Sequence, residues 1–354
     1  FVVLLLNAWT ISILVHAADR YGDFDLGSLI SRLPWGLGQP VQALTNLFLW
    51  FSMFLCLVSY IIAIYDSAHK IREMNRPLLV TLACVAVVPL CFLDQRRLEV
   101  FSIVAFLINV YIFFVIVGLL AQEDGDHGND VDPIHPDACL FGWTERGMGM
   151  FATSSIVFQA VIIQMVVLPM YKELQNRTPA LMDRIILVAF GILFVLFAGF
   201  SLVGYLYVGP KVKSNILVDF PTSPYTNLAQ VCTVVVCACV YPFMVIPMVA
   251  TFTHDPNGKI AIVAKLCIIT CTGICASRDR LYLDFVNTIN GAASAVIFVA
   301  VLPSAVGHFL LRGGWLQTVR LSFLLVISLG LAVAGLWFRD NYVDELQCFL
   351  YWHS

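Results

Sequence analysis

The chain has 354 residues, of which 60% are hydrophobic and 12% are charged, and its formal net charge is -3. A soluble domain of average composition is nearer half apolar and a quarter charged, so this chain has too few polar groups to cover its surface in water. The weakly negative net charge excludes the strongly basic surface typical of nucleic-acid binding. The composition therefore predicts an integral membrane protein in contact with a lipid bilayer.

Ten apolar stretches match the length of a membrane-spanning helix, which needs about 20 residues. In chain order they cover residues 2–18, 44–65, 78–93, 100–121, 148–170, 185–208, 228–251, 260–276, 283–310 and 321–338. They are longer and more continuously apolar than the strands of a membrane β-barrel. The sequence thus predicts an all-α, polytopic protein in which residues 1–354 form one transmembrane domain.

The connecting loops are short, apart from an acidic loop at residues 122–146. We number the loops from the one after the first span, so that odd-numbered and even-numbered loops lie on opposite sides of the membrane. These two sides are called the odd side and the even side. The odd side holds eleven of the 20 Lys and Arg residues, counting Lys265 about one turn inside the span at residues 260–276, and the even side holds nine. By the positive-inside rule this small excess favours the odd side as cytoplasmic.

Polar side chains inside the spans are functional candidates, because a polar group at membrane depth is costly unless it is paired or lines a cavity. The alternative is that each one bonds a neighbouring helix. Gln159 and Gln164 stand five residues apart, so on a continuous helix their side chains would point roughly 140° from each other. The full set is Asn7, Asn46, Asn109, Ser154, Ser155, Gln159, Gln164, Thr233, Asn287 and Asn290.

The sequence contains no motif of a known catalytic or nucleotide-binding site. Cys267, Cys271 and Cys275 share one helical face. Thiolates bind soft metals, but we interpret these cysteines as small packing residues, because no His or acidic residue joins the row. We therefore predict no enzymatic activity, no metal and no cofactor.

Several segments resemble the amino acid/auxin permease family, which includes the sodium-coupled neutral amino acid transporters. The most specific is GYLYVGPKVKSNIL at residues 204–217, and the others lie at residues 14–32, 58–66, 166–187, 241–247 and 289–311. The resemblance implies a leucine-transporter-type fold with a five-plus-five inverted repeat and an eleventh helix. The ten spans would be helices two to eleven, with the first helix upstream of Phe1, and the even side would be extracellular or luminal.

The same resemblance implies a secondary transporter that moves amino acids by alternating access, or a non-transporting amino acid sensor on the same scaffold. It places the substrate site largely at an unwound middle of helix one, opposite helix six. In this sequence the remaining candidates lie on helices six, three and eight, and they are Ser154, Ser155, Gln159, Gln164, Asn46 and Thr233. Where the family shows FxFxxH in helix six, this chain has Gln159, Val161 and Gln164, and no Gly lies between Phe151 and Pro169. Sodium coupling, proton coupling and loss of transport stay open, as do the oligomeric state and the choice between plasma membrane and endolysosomal or vacuolar membrane.

The implied topology puts Cys139 and Cys348 on the even side, where a disulfide is permitted because that side is oxidising. Family members often bridge two cysteines within the long loop, but here that loop contains only Cys139. A disulfide between Cys139 and Cys348 is therefore one hypothesis, and two free thiols are the other.

Overall fold

The structure, a computed structural model, describes residues 1–92, 95–126, 139–144, 149–209, 215–250, 253, 255, 258–311, 314–337 and 346–351. The helices are α1 (Val2–Tyr21), α2 (Leu26–Ser31), α3 (Gly38–Ile71), α4 (Arg76–Leu90), α5 (Gln95–Asp126), α6 (Gly149–Val161), α7 (Gln164–Glu173), α8 (Pro179–Val208), α9 (Pro224–Ala250), α10 (Lys259–Ala276), α11 (Leu283–Ser294), α12 (Leu302–Phe309) and α13 (Trp315–Trp337). A π-helical segment (Ala295–Val301) joins α11 to α12, and a 3-10 turn (Ile216–Val218) precedes α9. Two short strands, β1 (Cys139–Thr144) and β2 (Leu346–Tyr351), pair with each other.

Eight spans in the described residues are long and apolar enough to cross a membrane, counting α6 with α7 and α11 with α12 as one span each. Two shorter apolar helices, α4 and residues Ile103–Leu119 of α5, bring the number to ten. Only 11% of the most apolar window of α8 is buried inside the protein, so most of that helix presents apolar side chains outward. An outer surface of this kind suits lipid rather than water. The prediction of an all-α, polytopic membrane protein is confirmed.

Two predicted boundaries differ in the structure. The predicted fifth span is a broken helix, because α6 ends at Val161 and α7 begins at Gln164. The acidic loop begins later than predicted, because α5 continues to Asp126. Apart from β1, the remainder of that loop lies outside the described residues. The pairing of β1 with β2 brings together the segments that contain Cys139 and Cys348, but both side chains lie outside the described set, so their disulfide stays a prediction.

The chain divides into two compact units, and the first comprises Phe1–Ser52, Thr144–Phe197 and Asn287–Glu345. Within it, α1 packs on α6, α7 and α12, while α13 packs on α6, α12 and the π-helical segment. The shared core contains fully buried apolar residues from each of these helices, including Leu14, Phe158, Leu168, Phe298 and Leu324.

The second unit comprises Met53–Trp143, Ala198–Val286 and Leu346–Ser354. Here α9 packs on α4, α5 and α10, and α4 also packs on α10. The hydroxyl groups of Tyr241 on α9 and Thr272 on α10 share a buried hydrogen bond of 2.6 Å. A polar contact of this kind holds two helices together where lipid offers no other partner.

Contacts between helix ends agree with the predicted alternation of the spans. In the first unit, Tyr21 at the end of α1 donates to the carbonyl oxygen of Leu310 just after α12, so the first and ninth spans end on one side. In the second unit, Arg76 at the start of α4 donates to the carbonyl oxygen of Ala276 at the end of α10. The third span therefore begins where the eighth ends, as an alternating path of ten crossings requires.

Arg76 generates a prediction about stability. Its Nε donates to the carbonyl oxygen of Ala276 at 3.0 Å, its Nη2 donates to that of Leu281 at 2.7 Å, and its guanidinium lies 5.1 Å from the centre of the Tyr65 ring. A lysine ammonium does not reproduce this planar fork. We expect Arg76→Lys to lower the free energy of unfolding by about 1–3 kcal/mol, measured as thermal unfolding of the purified protein in detergent. The control is Arg72→Lys at a nearby exposed position, and an equal loss in both variants would contradict the assignment.

Candidate functional site

The break between α6 and α7 is the feature from which the candidate site is built. Ile162 and Ile163 lie outside both helices, in the middle of a 21-residue apolar span, Thr153–Glu173. A helix end leaves its last carbonyl groups and its first N–H groups without partners inside the helix. The break therefore places backbone donors and acceptors at membrane depth, where lipid does not satisfy them.

Gln164 holds the break through all of its polar side-chain atoms. Its Oε1 accepts the backbone N–H of Ile163 at 3.1 Å, and its Nε2 donates to Asn7 Oδ1 at 2.8 Å and to Thr10 Oγ1 at 3.0 Å. All three side chains that meet here, Gln164, Asn7 and Thr10, are 0% exposed. This closed network ties the first residue of α7 to the middle of α1.

The contact with Ile163 also explains why the helix stops at this point. In a continuous helix the N–H of Ile163 would bond to the carbonyl oxygen of Gln159, four residues earlier. Here the Gln164 side chain takes that N–H, and the carbonyl oxygen of Ile163 begins the next helix by accepting from Val166 and Val167. A side chain thus substitutes for the glycine that helix unwinding was expected to need.

Ser155 lies at a close contact between helices. A Cβ atom added to Gly291 on α11 would overlap the carbonyl oxygen of Ser155, and one added to Gly335 on α13 would overlap its Oγ. Ser155 is 0% exposed, and its hydroxyl bonds back to the carbonyl oxygen of Phe151. Its surroundings are those of a small residue that lets three helices approach one another.

Ser154 and Gln159 are the half-buried polar residues of α6. Ser154 donates to the carbonyl oxygen of Phe151 at 2.7 Å. Gln159 stands in the last turn before the break, beside Gly291 of α11. A Cβ atom added to Gly291 would lie 3.3 Å from the Cβ atom of Gln159. Of the predicted helix-six residues, these two are the partly accessible ones.

Asn46 and Thr233 belong to other parts of the chain. Asn46 is exposed on α3. Thr233 lies on α9 in the second unit, and its hydroxyl donates to the carbonyl oxygen of Ala229. The first unit also contains a buried cluster in which Asn290, one of the polar residues noted in the sequence, meets two serines that were not among them. Asn290 Nδ2 donates to the carbonyl oxygen of Ser52, and the hydroxyl groups of Ser52 and Ser294 lie 3.1 Å apart.

That buried cluster ends where the helix geometry changes, because Ser294 is followed by the π-helical segment and then by Pro303. Proline donates no backbone hydrogen bond, which is a common cause of such local changes in a helix.

The side chains of the cluster and of the break are uncharged amides and hydroxyls. No group of three His, Cys, Asp or Glu side chains in the described part of the chain is placed to hold a metal ion.

A comparison with known protein families identifies the scaffold. Residues 2–338 match the family model described as "Transmembrane amino acid transporter protein". The chain belongs to this family. The match covers nearly all of the sequence and confirms the resemblance to amino acid/auxin permeases that the ordered motifs indicated.

Within this transmembrane amino acid transporter family, one relative is the protein of Arabidopsis thaliana named amino acid transporter AVT6E. The two are 25% identical over 234 residues, a match that covers 61% of this chain and 46% of the relative. The matched region thus spans about half the length of that plant protein.

The glycine contacts at Ser155 give a prediction with a matched control on the same helix. A Cβ at Gly335 would overlap Ser155 Oγ and come within 2.9 Å of the Phe151 carbonyl oxygen, whereas a Cβ at Gly330 meets nothing within 4 Å. We expect Gly335→Ala to lower the free energy of unfolding by about 1–3 kcal/mol through overpacking. Gly330→Ala should leave it unchanged or raise it slightly, because alanine is the better helix former. Thermal unfolding in detergent measures both, and a stable Gly335→Ala variant would show that α6 and α13 are not in close contact.

Proposed function

We propose that this protein carries amino acids across a membrane by alternating access, and that the broken helix α6–α7 binds the substrate. The observation that carries the proposal is the break at Ile162 and Ile163 inside an apolar span of a chain from an amino acid transporter family. Transporters use discontinuous helices at the middle of the membrane to bind charged substrate groups without charged side chains. A break there has no purely structural necessity, because an uninterrupted helix would satisfy its own backbone.

The chemistry of an amino acid fits the two helix ends. The N-terminus of α7 carries a partial positive charge and N–H groups, which favour the carboxylate. The C-terminus of α6 carries a partial negative charge and carbonyl groups, which favour the ammonium group. The side chains at the break supply no opposing charge, since Gln164, Asn7 and Thr10 are all uncharged.

Among the helix-six candidates, we propose that Gln159 and Ser154 contact the substrate. Both are half-buried on α6, and Gln159 lies in the turn next to the break. Gln164 and Ser155 are instead fully buried and engaged with neighbouring helices. Asn46 and Thr233, on the third and eighth helices of the family numbering, stay predictions.

The composition of the second unit supports the proposed five-plus-five repeat. Counted as helices three, four, eight and nine of the family, α3, α4, α9 and α10 all contribute to that unit. Such a repeat relates helix three to eight and helix four to nine, so the unit contains both members of two pairs. We infer that the fold is of the leucine-transporter type, with the even side extracellular or luminal.

Uptake into proteoliposomes tests the proposed function. Each of the twenty standard L-amino acids is offered in labelled form, with no gradient, with a sodium gradient and with a proton gradient. We expect saturable uptake of at least one amino acid, and the gradient that stimulates it identifies the coupling ion. Saturable binding without uptake would favour an amino acid sensor over a transporter, and the absence of both would contradict an amino acid function.

Gln159 gives a residue-level prediction. Loss of one hydrogen bond to the substrate in Gln159→Leu should raise KM about two- to tenfold with little change in the maximal rate. The control is Asn109→Leu, which removes an exposed amide on α5 whose Nδ2 donates to the carbonyl oxygen of Ala105. Concentration-dependent uptake measures both variants, and equal KM values for native protein and Gln159→Leu would remove Gln159 from the site.

A further inference from the structure

The short helix α7 is attached to α1 along its whole length. Its buried residues recur at the spacing of one helical face. They are Gln164, Val167, Leu168 and Tyr171. The structure packs α7 on α1. Because α7 has only ten residues, this face spans it from the first turn to the last.

A polar contact stands at each end of that face. At the break, Gln164 donates to Asn7 and Thr10 of α1, as described above. At the other end, the hydroxyl of Tyr171 donates to Asp19 Oδ1 at 2.7 Å, two residues before α1 ends. Tyr171 is itself 0% exposed, so its hydroxyl has been removed from solvent to make this bond.

Aromatic and cationic groups cover the Tyr171 end. The ring of Phe24 lies 6.0 Å from the ring of Tyr171, and the guanidinium carbon of Arg177 lies 4.3 Å from the centre of the Phe24 ring. Cation–π contacts of this kind add to the attachment that the Tyr171 hydrogen bond provides. The segment after α7 is therefore bound to the segment after α1.

The other half of the broken span has different partners. α6 packs on α13 and on the π-helical segment as well as on α1, and Ser155 fits against Gly291 and Gly335. Ile162 and Ile163 join two halves that are held in different ways. A joint of two residues outside regular helix is where backbone rotation meets least resistance.

We propose that Gln164 and Tyr171 are positioning residues that fix α7 to α1, so that α7 and α1 move together about Ile162 and Ile163. The inference rests on the proposed function, since it says which half of the broken helix moves during transport. Neither side chain touches the substrate in this account. Separation of α7 from α1 would break both hydrogen bonds that Gln164 Nε2 donates, in a place where all three side chains are 0% exposed, and this cost is why the two helices move together.

A distance measurement tests the attachment without relying on transport. Spin labels are placed at Leu5 on α1 and Met170 on α7, both exposed, through non-natural amino acids that leave the eleven native cysteines untouched. The full chain is compared with Tyr171→Phe and Gln164→Leu in lipid nanodiscs. We expect a single narrow distance distribution in the native protein and a distribution about twice as wide in each variant, because one lost hydrogen bond shifts a two-state population about tenfold.

The control is Tyr241→Phe in the second unit. It removes a hydroxyl from an equally buried tyrosine that bonds Thr272 rather than α1, so general loosening should affect both tyrosine variants alike. We expect the native width in Tyr241→Phe. A native width in Tyr171→Phe, or equal broadening in both tyrosine variants, would overturn the proposal.

Transport provides the second readout. Tyr171→Phe should lower the maximal uptake rate about tenfold and change KM less than about twofold, because a positioning residue acts on the movement and not on binding. A raised KM with an unchanged maximal rate would show instead that this end of α7 contributes to binding. Native protein that moves no amino acid would contradict the proposed function, whereas the distance measurement would still report on the attachment.

Discussion

Hydrogen bonding of the backbone inside lipid is the constraint on which this structure depends. Ten apolar stretches form helices because lipid offers no partner to an open N–H or carbonyl group. One span departs from this rule at Ile162 and Ile163, and the departure is stabilised by a neighbouring helix rather than by solvent. The Gln164 side chain takes the N–H of Ile163 and anchors itself to Asn7 and Thr10.

That arrangement connects stability to function. The network bonds the N–H of Ile163, and it leaves the negative end of α6 and the positive end of α7 facing each other across the break. An amino acid carries one charge of each sign on groups bonded to the same carbon, so it suits two such helix ends better than a singly charged ion does. In the proposed function, the residues around the break set the specificity for the substrate side chain, and Gln159 is the nearest partly accessible polar group on α6.

The sequence predicted the spans well because their signal is local. Continuous runs of about 20 apolar residues identify membrane helices whatever they pack against, and the order of the motifs indicated the family. The break could not be predicted in the same way. It contains no glycine or proline. The Gln164 side chain takes the N–H of Ile163 there and is itself held by Asn7, 157 residues earlier in the chain.

The same limit explains the candidate residues. Gln164, Ser155, Ser154 and Gln159 look alike in the sequence, as polar groups in one apolar run. Only their neighbours distinguish Gln164, bound to Asn7 and Thr10, from Gln159, half-buried beside Gly291. Thr10 was not among the candidates. Its hydroxyl donates to the carbonyl oxygen of Asn7, as a threonine in a helix commonly does, and it also accepts from Gln164.

Hydrogen exchange at the break tests the central claim most directly, since the claim is that the two helix ends that meet at the break bind the amino acid. The measurement follows deuterium uptake by peptides that cover this segment in lipid nanodiscs, with and without an amino acid that the protein takes up. The account predicts that the amino acid slows exchange at residues 162–165 and leaves the middle of α13 unchanged. Exchange at residues 162–165 that does not respond to a bound amino acid would contradict it.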